Sequence, residues 1–176
     1  MIKSIFKIFI SLLIIILIFI FSFYFYGSSG SLLEEEYLVN SDQIEYESEK
    51  DTFRIVTYNL GYLSGMSNNL PIETDQQFFQ KNQNDFINLI KSTDVDILAL
   101  QEIDYNSKRS FFGNQIDSVN IKTTLKNTAS VVNWDKNYVP FPYWPISKHF
   151  GKIISGQSVA SKFPIISNEA ITLDKR

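Results

Sequence analysis

The chain has 176 residues, 44% of them hydrophobic and 20% charged, enough for one domain with a real core and unlike a disordered chain. It has no cysteine, which excludes disulfides, thiolate metal sites, cysteine nucleophiles and a lipidated-cysteine anchor. Sixteen basic residues face 19 acidic ones, a balance that argues against broad polyanion binding through charge alone.

The first element is apolar. Ile5 to Tyr26 reads IFKIFISLLIIILIFIFSFYFY and carries no charge except Lys7. A helix of about 20 apolar residues spans the hydrocarbon core of a bilayer. No face of the segment is polar, which argues against a buried core helix. Residues 1–27 therefore read as an uncleaved transmembrane signal anchor. Cleavage near the small residues Gly27 to Ser31 is the alternative and would leave a secreted protein. Lys3 and Lys7 precede the span and Glu34, Glu35 and Glu36 follow it. The positive-inside rule then places the C-terminal domain of a single-pass protein on the extracytoplasmic side, with Tyr24 and Tyr26 in the outer aromatic belt. Setting Lys3 and Lys7 aside leaves 14 basic residues against 19 acidic ones, a net charge of −5. Residues 28–51, rich in Ser, Glu and Asp, read as an acidic linker, a solvated tether.

The folded region is expected over 52–176. FRIVTYNL, Phe53 to Leu60, alternates as a strand, with Phe53, Ile55 and Thr57 on one face and Val56 and Tyr58 on the other. Gly61 to Pro71 reads as a loop. The spacing of Phe79, Phe86, Ile87 and Ile90 predicts a helix over about Thr74 to Lys91, opened by a Thr74–Gln77 capping box. VDILAL, Val95 to Leu100, is a continuous apolar run, as in a strand buried on both faces. Strand, helix and strand at this spacing form a βαβ unit or a close relative. Further on, Gly113 to Thr128 is expected to contain a helix with Ile116, Val119 and Thr123 inward, a face that Leu125 fits less well. NYVPFPYWP, Asn137 to Pro145, carries three prolines and cannot be a central strand. It reads as a substrate rim, a membrane-facing aromatic lip, or packing under a rigid loop. Ala170 to Leu173 reads as a last strand.

Both predicted strands of the βαβ unit finish on a polar residue, Asn59 in TYNLGY and Glu102 in LALQEID. Ligands of α/β sheets bind beyond the carboxyl ends of the strands. If these strands are neighbours, a carboxylate and an amide converge on one spot. That pair suits a hard divalent cation, because Mg²⁺ takes one or two protein carboxylates and keeps waters or substrate oxygens elsewhere. The plainer reading is that Asn59 caps a turn and Glu102 begins a solvated loop.

TYNL at Thr57 to Leu60, LALQEID at Leu98 to Asp104 and SGQSVASKFPI at Ser155 to Ile165 stand in one order. Together they resemble the motifs of the endonuclease/exonuclease/phosphatase superfamily over about Thr52 to Thr172. The third match departs from the family pattern at Ala160 and Lys162, and its role is structural more than catalytic. The resemblance implies an α/β fold, a four-layered α/β sandwich of two packed sheets flanked by helices. It implies Mg²⁺-dependent hydrolysis of a phosphoester, in the first place a phosphodiester, with Mn²⁺ as a substitute. It assigns Asn59 to the phosphate or to metal-bound water and Glu102 to the metal, with Asn59 beside it in the metal site. The family's later G-D-x-N and S-D-H segments do not occur in this chain. Ordinary domain size sets the missing part at roughly 100 residues. The chain therefore reads as the N-terminal half of the domain behind one transmembrane helix, without the general base. The alternative is a non-catalytic membrane-tethered fragment or a decayed remnant.

Among the remaining candidates, Arg109 in QEIDYNSKRS would suit a substrate phosphate, since a guanidinium fits two oxygens. A solvated loop charge is the plainer reading. Asp104 reads as loop-capping or as a partner to the site. The single histidine, His149, precedes the third motif and reads as a loop residue. The expected partners are the membrane, through the N-terminal helix, and a phosphoester: nucleic acid, phospholipid head group or small molecule. The acidic balance and the anchor favour the last two over DNA. No protein partner is inferred.

Overall fold

The computed structural model describes residues 2–41, 43–47, 51–65, 67 and 75–171. Helix α1 spans Ile2–Ser28. From Lys3 to Ser28 it is long and apolar enough to cross a membrane. A mixed five-stranded sheet follows, built from β1 (Leu38–Asn40), β2 (Ile55–Asn59), β3 (Ile97–Asp104), β4 (Asn127–Val139) and β5 (Gly151–Ser161) in the order β1-β4-β5-β3-β2. Strands β2 and β3 are parallel; every other pairing is antiparallel. Helix α2 (Gln76–Thr93) makes the crossover between the parallel pair, and α3 (Gln115–Lys122) follows β3.

The alternation read from FRIVTYNL holds. Val56 packs on the core and Tyr58 stacks on Phe86 of α2, with ring centroids 5.6 Å apart. Thr57 points to the other face, where Gln101 Nε2 donates to its Oγ1 at 3.0 Å. In β3, Leu98 and Leu100 are buried and Ala99 half-buried. Phe79, Phe86, Ile87 and Ile90 of α2 join Ile116 and Val119 of α3, Leu98, Leu100, Ile103, Leu125 and Ala160 in one core. Each side chain fully removed from water there contributes about 1.5–3 kcal/mol. One sheet and one helical layer form the described part of the α/β fold, as expected for half of a sandwich.

Several boundaries differ from the expectations. The α2 cap is Asp75, whose carboxylate accepts from Phe78 N at 2.7 Å. Thr74, expected as the cap, lies outside the described residues. Leu125 is fully buried although it fits the α3 face poorly, because the helix ends at Lys122 and Leu125 enters the core from the following turn. Within the expected 28–51 tether, Leu38–Asn40 is an edge strand paired with Ala129–Val131. Its three ladder positions outweigh the polar composition around them. Of the strand expected over Ala170 to Leu173, Ala170 and Ile171 carry no strand, and Thr172 and Leu173 lie outside the described residues.

Strands β4 and β5 form a long irregular hairpin. At Gly156 the two backbones approach so closely that a Cβ would stand 1.9 Å from the Val131 carbonyl oxygen, so only glycine fits. The register shifts at this point, between Val132 and Trp134 opposite Gly156 and Ser155, and the shift bends the hairpin.

Candidate functional site

The site is built where the two parallel strands end. Asn59 pairs in register with Gln101, and Leu60 N donates to the Gln101 carbonyl at 2.9 Å, so the ladder continues one residue beyond β2. The chain then turns through a short 3-10 segment, Gly61–Leu63, with Tyr62 and Leu63 at positive φ. Asn59 Oδ1 accepts from Gly61 N at 2.9 Å. The turn-capping reading of Asn59 is therefore what its oxygen does, and its Nδ2 is left as a donor.

On β3 the alternation breaks at the motif. Leu98 and Leu100 face the core, so a regular strand would bury residue 102. Instead Ile103 is buried and Glu102 is exposed. The cause is a register shift against β5 between Leu100 and Ile103, with Glu102 at φ 51°. A non-glycine residue at positive φ is uncommon and persists where its surroundings hold it. The bulge turns the carboxylate out of the core at the carboxyl end of the strand.

Arg109 is where the structure departs most from the sequence reading. It is no solvated loop charge: its side chain is only 7% exposed and pairs with Asp104, which is 0% exposed. Arg109 Nε donates to Asp104 Oδ2 at 3.1 Å and Nη2 to Oδ1 at 3.0 Å, a two-pronged fork. Ser107 Oγ donates a further bond to Asp104 Oδ1 at 2.8 Å, so the Asp104 carboxylate holds side chains of the following loop. The guanidinium lies 3.3 Å from the centre of the Tyr62 ring, with Trp134 at 5.3 Å and Phe150 at 5.4 Å. Aromatic faces stabilise a desolvated guanidinium. Buried Gln115 ties the two halves together: its Oε1 accepts from Asp104 N at 2.9 Å and its Nε2 donates to the Tyr62 carbonyl at 3.0 Å.

These groups surround a pocket of about 430 Å³ lined by Tyr62, Glu102, Arg109, Trp134, Val139, Phe141 and Phe150. Glu102 and Arg109, two of the three residues singled out in the sequence, meet there. Asn59 sits at the end of the neighbouring strand and is not part of the lining. Burial raises the Tyr62 phenol above its usual range; the Arg109 charge opposes this and the Glu102 charge adds to it. The phenol is thus a neutral donor at physiological pH. His149 is a loop histidine as read, with Nδ1 2.7 Å from the Tyr138 hydroxyl, and it is not in the pocket lining, although its neighbour Phe150 is.

The donor set fits a divalent cation only as a shared site. Among the described residues no three His, Asp or Glu side chains cluster as a metal cage. Both Asp104 oxygens are occupied by Arg109, which leaves Glu102 as the carboxylate facing the pocket. One carboxylate with substrate oxygens and waters is a sufficient set for Mg²⁺. Sequence reasoning missed Tyr62, Gln115, Trp134 and Phe150. Of the lining aromatics, Phe141 lay in the proline-rich Asn137 to Pro145 and Tyr62 closed the TYNLGY stretch, but neither was read as a site residue.

Compared with known families, residues 56–175 match the model described as Endonuclease/Exonuclease/phosphatase family. No curated protein and no solved structure is significantly similar to the chain.

Proposed function

The chain belongs to the endonuclease/exonuclease/phosphatase family, and from that premise we propose that it serves Mg²⁺-dependent hydrolysis of a phosphodiester at a membrane to which α1 anchors it. The observation that carries the reading is Glu102, turned out of the core by a bulge at φ 51° into the pocket that Arg109 shares. A carboxylate and a guanidinium side by side hold a cation and the anion that the cation neutralises.

In this reading Glu102 holds Mg²⁺, with Mn²⁺ as a substitute, and the bound ion supplies Lewis-acid polarisation of a phosphoryl oxygen. Arg109, with Nε and Nη2 committed to Asp104, presents Nη1 to a second oxygen. Asn59 serves the phosphate in preference to the metal, because Gly61 already holds its Oδ1 and Nδ2 remains to donate. Tyr62, Trp134 and Phe150 keep water from the guanidinium and strengthen its attraction for an anion. A base to activate the attacking water is not among these residues and would come from the family's later segments.

A non-catalytic membrane-tethered module is the second reading. It is favoured by one observation: the chain's one histidine bonds Tyr138 and does not line the pocket.

The test uses the full chain in detergent micelles, with bis(p-nitrophenyl) phosphate and Mg²⁺ or Mn²⁺. Metal-dependent cleavage that falls by about 100-fold or more in Glu102→Ala supports the enzyme, since a lost ligand side chain costs at least what lost outer partners cost. Metal binding that depends on Glu102 without cleavage supports a site that holds the ion but needs the family's later segments for turnover, and metal binding indifferent to Glu102→Ala, without cleavage, supports the second reading. Cleavage unchanged by Glu102→Ala sinks the assignment of that residue.

A further inference from the structure

We propose that the tip of the β4–β5 hairpin, residues 140–148, is seated in the membrane–water interface beside α1; this rests on the reading of α1 as a membrane anchor.

The argument begins with how α1 meets the domain. Asp135 Oδ2 accepts from Ser31 N at 2.8 Å and Leu32 N at 2.9 Å. One residue on, Lys136 Nζ donates to the Ser28 carbonyl at 2.6 Å, and next Asn137 N donates to the Ser29 carbonyl at 2.9 Å. Then Tyr138 closes on Gly27, and its ring stands 5.2 Å from that of Phe23. From Asp135 to Tyr138 the strand thus meets positions 31–32, then 28–29, then 27 and 23. It runs antiparallel to the exit of the helix and moves toward the apolar span. Phe23 lies about 7 Å inside the helix end at 1.5 Å per residue. Tyr138 is therefore level with the last turns of the span.

The chain continues in that direction. Val139 pairs with Gly151 at the base of the tip. Phe150 N donates to the Phe141 carbonyl at 2.8 Å, and Lys148 N to the Pro145 carbonyl at 3.0 Å. The Phe141 and Phe150 rings pack 5.5 Å apart. So the tip is braced from within. Yet Tyr143 is 80% exposed, Trp144 75% and Ile146 61%. Three large apolar side chains held out together on a braced turn mark a surface that something covers. Tyr and Trp are the residues of the interfacial belt, and the adjoining helix fixes their depth near that level. A bilayer is thus the occupant that the placement selects. The same tip supplies Phe141 and is followed by Phe150, both in the pocket lining. The pocket lining thus shares Phe141 with the seated tip.

The full chain is reconstituted into phosphatidylcholine vesicles with or without brominated acyl chains. The chain has two tryptophans, Trp134 and Trp144. Bromine is expected to quench wild-type emission and to leave Trp144→Phe, which reports Trp134 alone, unquenched. Resistance to alkaline carbonate extraction is measured on the same vesicles. Resistant protein whose emission is unquenched, or quenched equally in Trp144→Phe, overturns the seated tip and leaves the anchor standing. Release by carbonate overturns the anchor and the seated tip with it. As Trp144 is exposed, its replacement leaves the packing intact, and a Tyr143→Ser, Ile146→Ser chain retaining Trp144 is expected to lose part of the quenching.

Discussion

Replacing Asp104 with Asn should unfold the site before it alters the chemistry. Asp104 is fully buried and holds Arg109, itself 7% exposed, through two bonds of 3.0 and 3.1 Å. Asparagine keeps the shape but cannot accept from both guanidinium nitrogens, and it leaves a desolvated cation without its counter-charge. Breaking a buried pair by removing one partner costs about 3–5 kcal/mol. With a urea dependence of about 2 kcal/mol per molar, the unfolding midpoint should fall by about 2 M. The assay is urea unfolding of the full chain in micelles followed by tryptophan emission, since Trp134 stands 5.3 Å from the guanidinium. The paired change Asp104→Leu, Arg109→Met should recover most of the loss, because an apolar pair of similar volume is often neutral or better. A single variant within about 0.5 kcal/mol of wild type, the range of ordinary surface changes, would refute the reasoning. So would a double variant no more stable than the single one.

Lys162, 5% exposed and bonded to Asp94 at 2.8 Å and Asp96 at 2.9 Å, should behave similarly: Lys162→Met is expected to cost about 3–5 kcal/mol in the same assay. Burial alone would lower its pKa, but hydrogen bonds to Asp94 and Asp96 outweigh that and raise it. Its contribution is therefore present below the ordinary lysine range and lost as pH rises through the raised value, so Lys162→Met should flatten the alkaline limb of a stability–pH curve. For Asp135, burial alone would raise the pKa, but the N–H groups of Leu32 and Ser31 and the Tyr37 hydroxyl bring it below the ordinary carboxylate range. That contribution is lost only as pH falls through the lowered value. Asp135→Asn should speed hydrogen exchange at Ser31 and Leu32 about fivefold at neutral pH, the factor that ~1 kcal/mol provides. Glu102→Gly should raise stability by about 1 kcal/mol, because glycine takes positive φ at no steric cost, while Mn²⁺ affinity measured by titration collapses.

The β2–α2–β3 unit was legible because its periods are clean: alternation in FRIVTYNL, helical spacing from Phe79 to Ile90, an apolar run in VDILAL. Their parallel pairing brought Asn59 and Glu102 to one end, as the two strand-end motifs implied. The bulge was not legible, since nothing in LALQEID marks which residue will be extra. The Arg109–Asp104 pair spans five residues through a 3-10 turn, a spacing with no periodic signature. Strand β4, NTASVVNWDKNYV, hides its identity in polar residues. Its cross-strand partners in β5, and Asp135 as a latch, appear only once the chain has folded back. β1 was concealed for the opposite reason: three unremarkable residues become a strand because an open edge is available.

That edge has a consequence for biosynthesis. Leu38 pairs with Val131, more than ninety residues later. At ~5–20 residues per second a ribosome needs about 5–20 s to deliver the partner strand. Through that interval the newborn segment displays Leu38 and Val39 with no ladder to join. Glu34, Glu35 and Glu36 stand immediately ahead of it. Like charges beside a waiting strand act as gatekeepers, repelling the same segment of neighbouring nascent chains. The acidic run that reads as tether composition thus serves as a guard on a strand that must remain single until its partner arrives.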